Sequence, residues 1–181
     1  MAVFAYADDQ ALMRLQRELP RFAQPKAVVV LFSPGLMFRD FDEDRPHLGP
    51  GLAWAPARTG SRLWALIRFF VPYHAQADID RHVALVRAEL QADAALARSR
   101  QAAILVVIPR FGPEDPREQG LRRRVLDGAG VPYVTVALDP AWRIAGDVHP
   151  DARGAQAIAA AVVRGLGEQS RNAAGDGAFS G

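Results

Sequence analysis

Cysteine is absent from all 181 residues, which excludes disulfides, a thiolate nucleophile and any Cys-based zinc site. Lysine is nearly absent: Lys26 is the only one among 22 basic residues. No Lys/Arg stripe interleaves with aromatics, so nucleic acid is not an indicated partner. The densest basic cluster, Arg122-Arg123-Arg124, reads as a solvated helix face. No run reaches the roughly 18 to 20 apolar residues of a membrane span. The best stretch, residues 63–73, is broken by Arg68. Residues 1–6 lack both the basic region and the length of a signal peptide. Serine is scarce, with only Ser33, Ser61, Ser99, Ser170 and Ser180, and there is neither a Gly-x-x-x-x-Gly-Lys phosphate loop nor an internal repeat. Compartment and oligomeric state stay open.

What is present is a globular composition, 50% hydrophobic and 23% charged with a net charge of +2. That is enough chain for one α/β domain with a real core. Short β-like runs alternate with helical periodicity. Residues 3–6 read as a short strand, and residues 9–19 as a helix with Leu12, Leu15 and Leu19 on one stripe. Residues 26–32 contain Val28-Val29-Val30-Leu31, the composition of a buried parallel strand. Residues 33–62 are loop-like, and residues 63–71 are ambiguous. The longest helix is expected over residues 77–98, with Ile79, Val83, Val86, Leu90, Ala94 and Ala97 on one face. A second buried strand follows at 102–108, then a helix at 114–129 ended by Gly130, a strand at 133–138 and a helix at 155–166. The order favours a three-layer α/β/α sandwich with a mostly parallel sheet, spanning residues 1–167, and a small polar tail at 168–181. In such folds ligands bind beyond the carboxyl ends of the strands.

One constellation lies at that edge: Gly146-Asp147-Val148-His149-Pro150-Asp151, followed by Gly154 and an apolar helix. An Asp two residues before a His can lie beside it on an extended loop, hold one imidazole nitrogen and leave the other to move protons. The helix N-terminus behind the pair disfavours the imidazolium and so favours a base. A solvated loop His is the bland reading. A metal reading has only these two ligands, with no third at a motif spacing. His47 could line a cleft, His74 and His82 have no evident partners, and Asp40-Phe41-Asp42-Glu43-Asp44 lacks the Gly and Glu spacing of a calcium loop.

The segment Asp147-Val148-His149-Pro150-Asp151-Ala152-Arg153-Gly154, then Ile158-Ala159, resembles the last sequence block of the SGNH/GDSL hydrolases. That block supplies the Asp and His of a Ser-His-Asp triad. Tyr6-Ala7-Asp8-Asp9-Gln10-Ala11-Leu12 resembles the block after the family's second strand, where a Gly N–H faces the oxyanion. Residues 28–32 with Ser33-Pro34-Gly35-Leu36-Met37-Phe38-Arg39-Asp40 resemble the third block, where an Asn side chain completes that hole. The resemblance covers roughly residues 2–166 in the right order. It implies a flavodoxin-like sheet, no cofactor, and a small-molecule, carbohydrate or lipid ester as substrate. His149 would be the base and Asp147 its orienting carboxylate, and Ala5 and Gly35 would stand at the oxyanion positions; apart from the resemblance, Arg39, like His47, could line a substrate cleft, with a solvated loop the better account.

The sequence departs from the family in one large respect. It contains no Gly-Asp-Ser, the nucleophile motif that follows the family's first strand. Gly35 also lacks the side-chain donor of the third-block Asn. The first strand of the sheet is therefore expected to be missing, with residues 3–6 and 28–32 pairing directly or an interior edge left open. The chain is expected to be either N-terminally truncated or a degenerate relative; if truncated, in-frame codons upstream of Met1 should encode a strand ending in Gly-Asp-Ser. Ser33 is the only substitute nucleophile at the catalytic edge, although a small residue opening a Ser-Pro-Gly turn is the better account of it. An ester hydrolase is the leading expectation. A catalytically inactive α/β module that binds a ligand or partner is the alternative.

Overall fold

The computed structural model describes residues 7–34, 46–57 and 75–176. The first helix, α1 (Asp8–Glu18), carries Asp8 and Asp9 in its opening turn, where the helix dipole favours negative charge. Gln10 Oε1 accepts the Ala7 N–H at 3.3 Å, which satisfies a donor just ahead of the helix. A single 3-10 turn, Leu19–Arg21, closes it at Pro20. The valine-rich strand β1 (Ala27–Leu31) follows. The region expected as loop contains a small antiparallel ladder, β2 (His47–Leu48) against β3 (Trp54–Ala55), around a 3-10 turn at Pro50–Leu52.

The long helix α2 (Gln76–Ser99) buries the expected face: Val83, Val86, Leu90, Ala94 and Ala97 are all within the core, and Ile79 packs against it. Strand β4 (Ala103–Phe111) runs three residues further than its apolar run suggested, because Pro109, Arg110 and Phe111 continue the ladder with the next strand. Helix α3 (Pro116–Ala129) begins at an Asp115 cap, whose Oδ1 accepts the Arg117 N–H at 2.7 Å, and stops at Gly130, where φ is 64°. Strand β5 (Tyr133–Leu138) matches its expected limits.

Helix α4 (Ala152–Asp176) corrects the reading of the C-terminal segment. Residues 168–176 were expected in a polar tail, yet they form the last turns of α4. The helix continues because Glu168, Gln169 and Arg171 are good helix formers, and Gln169 Nε2 donates to the Ile104 carbonyl at 3.1 Å.

The chain is thus an α/β protein with a three-stranded parallel sheet, ordered β1-β4-β5, and four helices among the described residues. Val29 pairs with Leu105 across β1 and β4, and Val107 pairs with Val134 across β4 and β5. The two faces of β4 feed two clusters, as period-two alternation dictates. Ile104, Val106 and Ile108 pack with Val28, Phe32, Val86, Leu90 and Leu126, joining α1, α2 and α3. Leu105 and Val107 pack with Val136, Leu138 and Ala161 under α4. Gly165 lets α4 approach closely: a Cβ there would sit 3.0 Å from Leu105 Cδ2.

The expected strand at residues 3–6 and the segment at 63–71 lie outside the described residues. Among those described, β1 has one sheet neighbour, β4, and its Val29 and Leu31 are 40% and 61% exposed. The basic cluster on α3 also differs from the solvated face expected of it. Arg122 is buried: its guanidinium grips Glu114 through two hydrogen bonds of 2.9 and 3.1 Å and reaches the Tyr133 hydroxyl at 3.3 Å. Arg124 pairs with Asp80 on α2, and only Arg123 stays exposed without such a contact. His82 is buried as well, its Nδ1 2.8 Å from the Asp78 carbonyl oxygen. No helix among the described residues is long and apolar enough to cross a membrane.

Candidate functional site

Because β1, β4 and β5 are parallel, the segments that leave their carboxyl ends share one edge of the sheet. Ser33 follows β1, Gly112 follows β4, and residues 139–151 follow β5. The last of these carries Asp147 and His149. Its shape is set by its own backbone. The Trp142 N–H donates to the Asp139 carbonyl at 2.9 Å, and Asp139 Oδ1 accepts the Ala141 N–H at 2.8 Å. Arg143 and Pro150 then form an antiparallel bridge, with the Ile144 N–H donating to the His149 carbonyl at 3.0 Å. Gly146, with φ of 75°, turns the tip of this small hairpin, a conformation that a side chain would strain.

At that tip Asp147 Oδ1 accepts three hydrogen bonds: from the Val148 N–H at 2.6 Å, from the His149 N–H at 3.2 Å, and from His149 Nδ1 at 2.6 Å. The imidazole and the backbone turn are held by one oxygen. These bonds, the one from His149 Nδ1 first, hold the Asp147 carboxyl below the usual carboxylate range. An ionised Asp147 accepts only, so Nδ1 carries the proton of that bond and Nε2 is the basic nitrogen of the neutral ring. The side chains are half exposed, 50% for His149 and 44% for Asp147, so the pair is accessible to a small molecule.

The loop is fastened to α4 by residues that the motif contains for structural reasons. Asp151 caps the helix: its Oδ1 accepts the N–H groups of Arg153 and Gly154 at 2.9 and 3.1 Å. Arg153 returns to Asp151 Oδ2 and also donates to the Ala141 carbonyl at 2.7 Å. Gly154 lies against the loop so closely that a Cβ would fall 2.7 Å from Pro150 Cβ and 3.3 Å from the Trp142 carbonyl oxygen. Arg143 stacks over Phe111, 4.5 Å from the ring centroid, and ties the loop to the end of β4. Neither the Gly154 contact nor the Arg143–Phe111 stack was foreseen from sequence. Only the Gly three residues after an Asp cap hinted at the first, and nothing hinted at the second.

Ser33 lies half-buried at the carboxyl end of β1, and among the described residues no hydrogen bond joins it to Asp147 or His149. Ser99 and Ser170 donate to the Leu96 and Leu166 carbonyls of their own helices. Ala5, Gly35, Arg39, the acidic stretch at 40–44, His74, Ser61 and Ser180 lie outside the described residues. Among those described, no group of three or more His, Asp and Glu side chains is arranged to hold a metal ion. No family model, curated protein or solved structure matches the chain.

Proposed function

We propose that this chain is a domain of SGNH/GDSL ester-hydrolase type that carries the orienting carboxylate, Asp147, and the base, His149, of a Ser-His-Asp system, while the family's Gly-Asp-Ser nucleophile motif is not in its sequence. The observation that carries the reading is the 2.6 Å bond between Asp147 Oδ1 and His149 Nδ1 on the loop between the last strand and the last helix. A resemblance in sequence and a ligand-binding edge in the fold meet at the same two residues. The finer architecture, a three-layer α/β/α sandwich around a flavodoxin-like sheet, belongs to the same proposal.

In this mechanism His149 Nε2 takes the proton of a serine hydroxyl as its oxygen attacks the ester carbonyl. The imidazolium that forms is stabilised by Asp147 and returns the proton to the departing alkoxide. Water, deprotonated by the same nitrogen, then releases the acid and restores the serine. The resemblance assigns the oxyanion positions to Ala5 and Gly35, and Arg39 is the candidate for contact with the substrate. The substrate is an acyl ester of a small molecule, a carbohydrate or a lipid.

A second reading, a non-catalytic α/β module that binds an ester-like ligand, draws on the finding that no described serine is hydrogen-bonded to the dyad. Hydrolysis of a short chromogenic acetate ester separates the two. With Ser33 supplying the hydroxyl, the hydrolase reading expects turnover that falls by roughly 10³-fold or more in His149→Ala. Turnover that survives His149→Ala refutes the assignment of the base. Absence of turnover with retained binding of the ester favours the module. Loss of activity in Ser33→Ala assigns Ser33 as the nucleophile.

A further inference from the structure

The sheet has a second edge, away from β1, and β5 forms it. The ladder to β4 determines which of its backbone groups face outward. Val106 pairs with Tyr133, and the Val106 N–H donates to the Pro132 carbonyl at 2.9 Å. In a parallel ladder the residues on either side of the paired one carry the inward-facing groups. Val134, Val136 and Leu138 therefore bond to β4, while the N–H and C=O groups of Tyr133, Thr135 and Ala137 point to the outer edge. No described strand pairs there.

Beside that edge runs a groove of about 330 Å³, walled by Thr135 and Ala137 on β5 and by Ala157, Ala160 and Ala161 on α4. Trp142 stands at one end, just past the finish of β5, and Arg164 lies toward the other. Gly165, the next residue, packs on Leu105, one place before the Val106 that pairs with Tyr133; this sets Arg164 near the start of β5. Arg164 is exposed and pairs with no acidic side chain among the described residues. The volume suits one or two side chains rather than a large ligand, and the alanines of α4 leave it open.

We propose that this groove is a docking site for an extended peptide segment of another protein that adds a strand to β5 and sets an acidic side chain on Arg164. Strand addition supplies main-chain hydrogen bonds at Thr135 and Ala137, and alternate side chains of the peptide enter the groove. The period of two places an apolar residue over Ala157 and Ala161 and an acidic one two positions away at Arg164. Charge selects this occupant over a second copy of the chain. Arg164 is the charged side chain that lines the groove; Arg153 on the same helix is already paired with Asp151. A second copy would offer the same arginine at this groove, whereas an acidic strand complements it.

The test is fluorescence anisotropy with the full chain and a labelled short peptide of alternating valine and threonine in which one valine is replaced by glutamate. Saturable binding is expected, with binding weakened about tenfold or more when lysine replaces the glutamate. Arg164→Glu should reverse that preference. Ala137→Pro removes only an outward N–H, so it should leave the β4–β5 ladder intact and abolish binding. Ala160→Trp fills the groove from an exposed helix position and should do the same with the helix content unchanged. Absence of saturable binding, equal binding of both peptides, or binding indifferent to Arg164→Glu and Ala160→Trp overturns the proposal. So does a dimer of the chain that Ala137→Pro dissociates, since the edge would then belong to a second copy.

Discussion

Asp147 Oδ1 lies 2.6 Å from His149 Nδ1 while also accepting the His149 backbone N–H at 3.2 Å. One oxygen thus positions both the ring and the peptide that bears it. The arrangement predicts that neutral His149 is held as the Nδ1–H tautomer. Nitrogen NMR of the imidazole should show Nε2 unprotonated in the native chain and a loss of this preference in Asp147→Asn. An asparagine carbonyl still accepts the two backbone N–H groups, so the loop should keep its shape. Unchanged tautomer populations in Asp147→Asn would mean that the carboxylate does not orient the ring.

Acid titration should break the same contact late. The Asp147 carboxyl is held below its ordinary value, first by the bond from His149 Nδ1. A depressed native value contributes stability above the unfolded value of about 3.8 and loses it as pH falls through the lower native one. Carbon NMR of the Asp147 carboxyl should therefore find it still ionised at a pH where exposed aspartates are half protonated. His149→Ala should bring its titration back toward the ordinary range.

Gly154→Ala is expected to disturb the site without touching the dyad. The added Cβ would lie 2.7 Å from Pro150 Cβ, so either the first turn of α4 or the end of the loop must shift. Overpacking of this kind costs roughly 1 to 3 kcal/mol. The urea midpoint should fall accordingly, and the His149 resonances should move.

The Asp151 cap offers a milder and separable test. Asp151→Ala removes the acceptor for the Arg153 and Gly154 N–H groups and should cost about 0.5 to 2 kcal/mol in urea unfolding. Asp151→Ser, which can still cap, should recover most of that loss.

Away from the site, Asp93 is 3% exposed, and its Oδ1 has no hydrogen-bond partner. Burial, and then repulsion from Asp8, raises its carboxyl to about 7. Asp8, whose Oδ2 is likewise buried without a partner, is raised to about 7 by burial and then by Asp9. Both native values exceed the unfolded ones, so the stability these groups lend is complete below about pH 4 and is lost as pH rises to about 7. The urea midpoint should decline over that window. Asp93→Asn should flatten the decline and leave the chain more stable than the parent at pH 8.

The sequence by itself determined what depends on near neighbours in the chain. Period-two and period-3.6 hydrophobicity located β1, β4, β5 and the buried face of α2, and Pro20 and Gly130 marked helix ends, because these preferences act within a few residues. The dyad was legible for the same reason: Asp147 and His149 are two positions apart, and the contact needs only a local turn. Tertiary structure decided the rest. Arg122 was read as solvated, yet it grips Glu114 against Tyr133, a pairing that exists only once α3 is laid beside β5. Asp93 shares the inner side of α2 with Leu90 and Ala94, and no local pattern signals that a carboxylate is taken from water there. The extra turns of α4, the fit of Gly154 against Trp142 and the stack of Arg143 on Phe111 likewise arise from packing between segments far apart in the chain. Local propensity set which elements form; burial and close contact between them set how the Asp147–His149 loop is held at the carboxyl edge of the sheet.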